Sequence, residues 1–597
     1  MTAPLGHATG ASSVSEPVAQ EASPEAGFRL WPGRSLRLRW LGRVAYRDAH
    51  ALQRSLWAAG PAADDWLLLL EHPKVFTAGI RSKPEHMLVD PANVGAELLW
   101  VDRGGDITYH GPGQLVGYPV LSVPSGKGAT PGYVHEVEAL VIEVLRTLGV
   151  GKAARLEGYP GVWVGTEGPQ PRKICAIGAR HSRQRTMHGF ALNVDVDLSM
   201  FSRIVPCGIS GLGVTSLAAE GAQVSMREVV EAAFAVATRR WGRGRPVERQ
   251  DVSWRLSRPA PIAAGAPREL EAEPERADSG LVAVANAGTG ASATLAIDAA
   301  KPKWLRAKAH MGPEFQALRK SLRDLSLVTV CEEAGCPNIF ECWAGGTATF
   351  MINGDRCTRA CGFCKVSTHK PLPLDSGEPE RVAEAVSRLR LAHAVVTCVA
   401  RDDLADGGAS AFVATIDAIR RRRPGTTVEV LISDMKGDPA ALRAIFDERP
   451  DVLNHNVETV PRLQRSVRPS ASYARSLSVL ARARDAGLVT KSGLMVGLGE
   501  SKDEVAGVLA DLAGVGTEIV TIGQYLRPSA ANIPVARWWS PEELSELARL
   551  GEELGIVHVE ASPLTRSSYH ARRAAVAAEA ARSAPGLRRA PRRPGAL

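Results

Sequence analysis

Six of the nine cysteines fall within 34 consecutive residues, Cys331 to Cys364, as two triplets. The first is Cys331-x4-Cys336-x5-Cys342 and the second is Cys357-x3-Cys361-x2-Cys364. Sulfurs gathered this closely must end up paired with one another or bound to metal, so this run limits the fold around it. Soft thiolates in threes suit iron–sulfur clusters, and a four-iron cube held by three cysteines leaves one iron for another ligand. A disulfide framework fits worse, since no secretory signal precedes the run and a chain of 597 residues needs no staples. Structural zinc sites take four N or S ligands, usually in Cys-x2-Cys pairs, whereas these cysteines come as three and three.

The residues after the first triplet read as a barrel. Ala348 to Asn353 reads as a strand that runs into the second triplet. Further strands are expected near 394–400, 427–433, 452–458, 490–497 and 518–526. Helices are expected between them over Glu380–Leu391, Ala411–Arg423, Tyr473–Ala486, Lys502–Ala513 and Pro541–Leu554. Alternation of this kind argues for parallel βαβ units, and six strands make a partial (β/α)6 barrel. Sites in such barrels gather at the C-terminal strand ends. There the sequence places the cysteine loop, Arg401-Asp402-Asp403, Ser433-Asp434, Asn454-His455-Asn456-Val457-Glu458, Lys491-Ser492-Gly493 and Gln524-Tyr525.

The second triplet, with Phe363 before its last cysteine, resembles the signature of radical S-adenosylmethionine (SAM) enzymes. That resemblance implies a [4Fe–4S] cluster on Cys357, Cys361 and Cys364 whose free iron chelates SAM. Nearly all of residues 301–582 resembles lipoyl synthase, through the first triplet, Arg401-Asp-Asp-Leu, Asn454-His-Asn-Val-Glu458, Gly523-Gln-Tyr-Leu-Arg-Pro528 and Arg566-Ser567-Ser568-Tyr569. The resemblance implies an auxiliary [4Fe–4S] cluster on Cys331, Cys336, Cys342 and Ser568 that yields two sulfurs. Adenosyl radicals would first abstract hydrogen at C6 and C8 of a protein-bound octanoyl chain, with electrons from a ferredoxin- or flavodoxin-type donor. Read alone, Ser568 is a helix cap. Cys398 stands where Ser is expected and reads as a small buried residue.

The first part of the chain carries a different chemistry. Ser35 to Trp40 alternates as a strand, Tyr46 to Trp57 reads as an amphipathic helix, and Trp66 to Glu71 as a buried strand. The densest segment is Arg103-Gly-Gly-Asp-Ile-Thr-Tyr-His110-Gly-Pro-Gly-Gln-Leu-Val116, where glycines let backbone approach a ligand. Arg172-Lys173-Ile174-Cys175-Ala176-Ile177-Gly178 carries a lysine into an apolar strand, and Pro206-Cys207-Gly208-Ile209 presents a thiol on a turn. A nearby ammonium raises a thiol's thiolate fraction, so these pieces form a candidate nucleophile site.

Those segments, with His188-Gly-Phe-Ala-Leu-Asn-Val194 and Pro206 to Leu217, resemble the lipoyl (octanoyl) transferases over about residues 36–240. The resemblance implies an α+β fold shared with biotin and lipoate ligases. Octanoyl would pass from acyl carrier protein to Cys207 and then to a lysine on a lipoyl domain, of a 2-oxoacid dehydrogenase or a glycine cleavage H protein. Lys173 would depress the pKa of the Cys207 thiol. Substrate would meet Arg103, Gly104, Gly105, Asp106, Ile107, Thr108, Tyr109, His110, Ala176, Ile177, Gly178, Gly189, Phe190 and Ala191. Cys175 stands where Ala is expected, on the same strand face as Lys173, and offers a second thiol. Two rival readings differ in class: an ATP-dependent lipoate or biotin ligase fused to a radical SAM enzyme, and an electron carrier with two clusters. An adenylate mechanism needs no thiol, and a carrier would close each cube with a fourth cysteine.

The net charge of +8 points weakly to nucleic acid, because Arg588, Arg589, Arg592 and Arg593 in a tail over 583–597 supply half of it. No aromatics interleave to stack on bases. Residues 1–34 read as a disordered leader, and the first 27 lack Lys and Arg. No run is long and apolar enough to span a membrane, so a cytoplasmic protein is expected. Residues 246–300 dissolve into Ala, Pro, Gly and Glu and read as a flexible linker between a domain at 35–245 and one at 301–582. About 55 such residues span roughly 40 Å. The two halves are therefore expected to be tethered but independently placed.

Overall fold

The computed structural model describes residues 34–205, 212–254, 301–305 and 346–583, with 28, 30, 31, 324, 325, 327, 329, 336 and 338–344 besides. Cys207, Cys331, most of the leader, the linker from 255 to 300 and the tail from 584 lie outside the described residues.

The first half is built on a mixed sheet. Its strands are β1 (Leu36–Arg43), β2 (Asp65–Glu71), β6 (Gln114–Val120), β7 (Ala153–Leu156), β8 (Tyr159–Val164), β9 (Arg172–Ser182), β10 (Arg185–Asn193), β11 (Gly213–Val214) and β12 (Val247–Asp251). They lie in the order β12-β1-β2-β6-β10-β9-β8-β7, with β11 parallel to β9. A three-stranded sheet of β3 (Val75–Ala78), β4 (Glu97–Trp100) and β5 (Thr108–His110) carries the glycine-rich loop. Helices α1 (Tyr46–Ala58), α2 (Ala129–Thr147) and α3 (Met226–Trp241) complete it. The run Trp66-Leu-Leu-Leu-Leu70 is apolar throughout because both faces of β2 are covered. Leu67 and Leu69 join the core under α2 and α3, while Trp66, Leu68 and Leu70 join the core under α1.

One boundary moves. The linker expected from 246 begins later, since Val247–Asp251 forms the parallel edge strand β12 beside β1. Charge hides this strand in the sequence: Glu248 pairs with Arg37 and Arg39, and Arg249 with Glu231. Trp254 then stacks on Trp40, with ring centroids 4.3 Å apart.

The second half is the expected parallel barrel. Its elements run β13 (Thr347–Ile352), α4 (Glu378–Arg388), β14 (His393–Cys398), α5 (Ala409–Arg422), β15 (Thr427–Leu431), α6 (Pro439–Asp447), β16 (Val452–Asn454), α7 (Tyr473–Asp485) and β17 (Thr490–Val496). They continue with α8 (Lys502–Val515), β18 (Ile519–Gln524), α9 (Pro541–Glu553), β19 (His558–Ser562) and α10 (Ala571–Ser583). The strands pair in sequence order, all parallel, and β19 adds a seventh beyond the six expected. Capping boxes start two helices: Ser501 with Glu504 on α8, and Ser540 with Glu543 on α9. Among the described residues, no helix is long and apolar enough to cross a membrane.

The two halves are not independently placed. One hydrophobic cluster runs from Leu52, Leu56 and Leu68 of the first half to Leu477, Leu480, Val508 and Leu512 of the second. Arg39 of β1 reaches Asp511 of α8 at 2.8 Å, with side chains only 2% and 3% exposed, and Tyr473 donates to the same carboxylate. Asp48 of α1 accepts from Ser478 and pairs with Arg475 and Arg482 of α7, and Ser55 donates to the Val515 carbonyl. Sequence periodicity missed this because Asp48, Ser55 and Asp511 read as solvent-facing positions. Cutting the chain near residue 280 should leave the halves co-eluting at micromolar concentration in size-exclusion chromatography. Asp511→Ala leaves Arg39 buried without its α8 partner and should weaken that association by about 3 kcal/mol, roughly 100-fold in Kd. Free halves after cutting the unsubstituted chain would contradict the shared core.

Candidate active sites

The first site lies where β5, β6, β9 and β10 meet the inner face of α1. A pocket here is lined by Arg103 to Asp106, Thr108, His110, Ala176 to Gly178 and Gly189 to Ala191, all expected from sequence. Two expected residues turn away. Ile107 and Tyr109 are fully buried with Phe76, Val196 and Phe201, because strand alternation sends Thr108 and His110 to the pocket and their neighbours to the opposite face. The pocket also takes Tyr46, Val116, Tyr118 and His188, which sequence reasoning did not assign. Val116 and His188 stood at the ends of quoted motifs and Tyr46 on the amphipathic helix, but nothing local marked the strand residue Tyr118.

Glycine is required where the walls close. A Cβ on Gly117 would lie 2.2 Å from the ring of Phe190, and one on Gly189 would lie 2.3 Å from the Gly117 carbonyl. β6 and β10 can therefore pack with Phe190 laid across them. Arg103 is held by Thr77, donating to its hydroxyl and its carbonyl. Beneath it, His72 bridges the Val44 carbonyl and the Tyr118 hydroxyl. Burial lowers the His72 imidazole to about 4 and pushes His110 well below its ordinary value, so both are neutral at physiological pH.

Lys173 lies on β9 with its Nζ 4.7 Å from the Trp163 ring centroid. Val214 pairs with it in register, and Thr215 N–H donates to its carbonyl at 3.0 Å. The chain that follows the Pro206–Gly211 segment thus returns beside Lys173. Cys175 is fully buried in the apolar core, and burial pushes its thiol far above the usual range. It does not supply the second acyl-accepting thiol.

The second site is the barrel mouth. The loop after β13 carries Cys357, Cys361 and Cys364, and neighbouring elements fix its backbone. Gly362 N–H donates to Val467 O, Asn532 donates to the carbonyls of Gly362 and Cys364, and Thr358 donates to Ala400 O. Arg359, between the first two cysteines, reaches Asp402 with two bonds of 2.8 Å and Asp434 at 2.6 Å. Its hydrogen bond holds the Asp402 carboxyl below its usual value. Burial raises the Cys361 thiol to about 11, Arg468 opposes it, and nearby Cys364, Glu458 and Cys357 add to the rise.

These three thiols lie close enough to repel one another as thiolates on a partly buried loop, which fits a soft, cationic iron centre that would hold them deprotonated. Cys398, at the end of β14, packs against the barrel core; burial pushes its thiol up to about 12, and nearby Cys357 adds to the rise.

The C-terminal motif folds onto the described part of the first triplet, around Cys336 and Cys342. Asn338, beside the short helix Ile339–Ala344 that contains Cys342, donates to Leu564 O at 2.6 Å. Tyr569 and His570 both reach Glu341 on that helix, and Cys336 acts on Arg566 electrostatically. Ser567 in turn accepts from Asn456 at 2.7 Å, and Asn456 also donates to Glu458. Two thiols and the hydroxyls of the Arg566–Tyr569 turn are thus carried to one side of the mouth, a donor set suited to an iron cluster with a weak oxygen ligand.

One expected mouth segment lies elsewhere. Lys491-Ser492-Gly493 is at the start of β17, and Lys491 pairs with Glu429 at 2.9 Å, both fully buried inside the barrel. Burial alone would raise the Glu429 carboxyl, but Lys491 and His393 hold it down at about 2. This pair pins strands rather than serving substrate.

A parallel barrel with a three-cysteine loop at its mouth, joined to a glycine-walled sheet pocket, defines a radical SAM enzyme fused to an acyl- or lipoyl-handling domain. Residues 45–237 match the lipoyl protein ligase A/B catalytic domain, 351–512 the radical SAM superfamily, and 296–336 the N-terminal domain of lipoyl synthase of the radical SAM family. Lipoyl synthase of Mycobacterium avium is 57% identical over 273 residues, which are 46% of this chain and 89% of that protein. Lipoyl synthase of Rubrobacter xylanophilus is 55% identical over 273 residues, 45% of this chain and 85% of that protein. The chain belongs to the lipoyl synthase family, with a ligase A/B-type catalytic domain in front. The family works with [4Fe–4S] clusters and SAM. A bi-partite lipoate protein ligase from Thermoplasma acidophilum overlays 37% of this chain and 88% of its own at 20% identity, with a TM-score of 0.31.

Because its thiol is buried, Cys175 should resist alkylation by iodoacetamide in the native protein and label only on denaturation, as peptide mass spectrometry would read. Rapid native labelling of Cys175 would mean that its core opens.

Proposed function

We propose that this chain assembles the lipoyl group in two steps, octanoyl transfer in the first half and sulfur insertion in the second. The observation that carries the first step is the pocket: Val116, Ile177, Phe190 and Ala191 offer an apolar wall for an acyl chain, with Arg103 supplying positive charge beside it. The donor would be an acyl carrier thioester, so exchange onto Cys207 is nearly isoenergetic. Amide formation on a lipoyl-domain lysine then runs downhill without ATP. A lipoate ligase of the same domain type would need ATP, so octanoylation of a lipoyl domain in its absence separates the two readings.

For the second step, SAM on the reduced cluster would supply an adenosyl radical, and the auxiliary cluster would supply sulfur. The chain's own groups hold the parts in place. Cys357, Cys361 and Cys364 would bind the first cluster, and Cys331, Cys336, Cys342 and Ser568 the second. Arg359 ties the first loop to Asp402 and Asp434, and Asn456 ties the Ser567 turn to Glu458. Electrons would come from a ferredoxin- or flavodoxin-type donor.

Cys207→Ser should abolish octanoyl transfer and leave sulfur insertion into a pre-octanoylated domain intact; transfer retained in this variant would show that another nucleophile acts. Lys173→Ala should slow acylation most at neutral pH and least at alkaline pH, where thiolate forms unaided. Replacing Cys357, Cys361 or Cys364 with Ala should eliminate SAM cleavage. Replacing Cys336 or Cys342 should leave 5′-deoxyadenosine production measurable while lipoyl product is lost. Lipoyl product from those two variants would exclude the auxiliary cluster as sulfur source.

A further inference from the structure

The turn that follows β15 is held in a conformation that costs free energy. Met435, Lys436 and Gly437 are left-handed in succession, with φ of 44°, 52° and 78°. Two of the three are not glycine, and such backbone persists only where the surroundings over-determine it. On its inner side the turn faces the cysteine loop. Asp434 is fully buried, and its Oδ1 accepts from Arg359 at 2.6 Å and from the Lys436 N–H at 3.1 Å. Lys436 Nζ donates to the Asp402 carbonyl at 2.7 Å. Arg359 also grips the Asp402 carboxylate, and its backbone N–H donates to Cys357 Sγ at 3.4 Å.

The outer side of the turn is held from α7. Arg482 donates to the Gly437 carbonyl at 3.0 Å, and Arg475 Nη1 lies 3.8 Å from Oδ2 of Asp434. Arg475, Ser478 and Arg482 stand at i, i+3 and i+7, so one face of α7 turns all three to the same place. The carboxylate they meet there belongs to the other half of the chain. Asp48 of α1 accepts from Arg475 at 3.2 Å, from Ser478 at 3.1 Å and from Arg482 at 3.0 Å. It also abuts the turn itself, since a Cβ on Gly437 would lie 3.2 Å from Asp48 Oδ1.

Asp48 could serve only to join the halves, as the Arg39–Asp511 pair does. Its position argues for more. Oδ2 of Asp434 is buried without a hydrogen-bond partner, and Arg475 is the cation beside it. Matched by Asp48, Arg475 stays at 3.8 Å and leaves Asp434 to Arg359. Unmatched, it has a buried carboxylate oxygen within reach and competes with Arg359 for the same group. We infer that Asp48, in the first half, is a positioning residue for the radical SAM chemistry of the second. It keeps Arg475 and Arg482 against the strained turn, and so keeps Asp434 on Arg359 and the cysteine loop in place. The inference rests on the radical SAM reading of the barrel.

Hydrogen–deuterium exchange on the full chain with its clusters loaded reads the turn and the loop without turnover. The amides to follow are Lys436 and Gly437 in the turn and Cys357, Thr358 and Gly362 in the loop, each hydrogen-bonded in this structure. Asp48→Asn keeps the shape of the side chain and removes its charge. It should speed exchange in both segments by about 10-fold or more. The KM for SAM in 5′-deoxyadenosine formation should rise by about the same factor, with a smaller fall in kcat. Asp511→Ala is the control, because it breaks the buried Arg39 pair between the halves and none of the contacts of the turn. It should leave both segments and the KM for SAM as they are in the unsubstituted chain. Combining Asp48→Asn with Arg475→Gln removes the competing cation, leaves no unmatched guanidinium beside Asp434, and should return exchange toward normal. Unchanged exchange in Asp48→Asn would overturn the inference. An equal rise in Asp511→Ala would also overturn it, making Asp48 a joint between the halves and nothing more. Exchange in the double variant as fast as in Asp48→Asn alone would overturn the competition for Asp434 on which the role depends. Absence of 5′-deoxyadenosine from the unsubstituted chain would instead remove the radical SAM reading of the barrel, and this role with it.

Discussion

Helix α1 is packed from two sides, by the pocket sheet and by α7 and α8, and the rest of the molecule is arranged around that constraint. Of its thirteen residues, only Arg47 and Arg54 are exposed. The buried faces of such a helix are usually apolar, yet this one carries Asp48, Gln53 and Ser55 in buried positions. Each has a specified partner, and the partners divide between the two halves: Gln53 holds the His188 backbone, while Asp48 and Ser55 are held by α7 and α8. Buried polar groups of this kind stabilise little by themselves, but a shifted packing would leave each one unpaired. The relation between pocket and barrel is therefore fixed more sharply than apolar contact alone would fix it.

The same helix links two polar systems. Toward the pocket, Tyr46 and His50 belong to the group of Tyr118, His72, His188 and Asp102. Toward the barrel, Asp48 pairs with Arg475, which lies 3.8 Å from Asp434, the carboxylate that holds Arg359 inside the cysteine loop. The ion pairs are shielded from water at most steps, so salt screens them little. The pocket and the barrel mouth thus belong to one packed body.

Much of this was readable from residues whose spacing is local. The barrel strands and helices fall within a few residues of where hydrophobic alternation put them, and the thiolate loop lies at the end of β13 as its motif required. Where reading failed, the cause was contact between distant segments. Asp102 and His188 are 86 residues apart, and they meet because the loop after β4 docks on β9 through Gly104 and Ala179 while β9 pairs Ala179 with His188. Val247–Asp251 is a strand that pairs with β1 through backbone and through ion pairs of Glu248, without apolar alternation to mark it. Ile107 and Tyr109 stand within a ligand-binding segment, but the two-residue period of β5 assigns them to the core. Lys491 resembled a mouth residue until the start of β17 was fixed by its pairing with β16 and β18.

The packing of α1 between the two halves also has a consequence for synthesis. Residues up to 254 leave the ribosome well before α8 is complete at Val515. At 5–20 residues per second, the interval is roughly 10–50 s. Through that interval the first half can fold, but Leu52, Leu56 and the carboxylate of Asp48 have nothing to dock against. The nascent chain presents a sticky, charged groove until its own C-terminal half arrives to fill it, so translation speed through the barrel becomes a factor in yield.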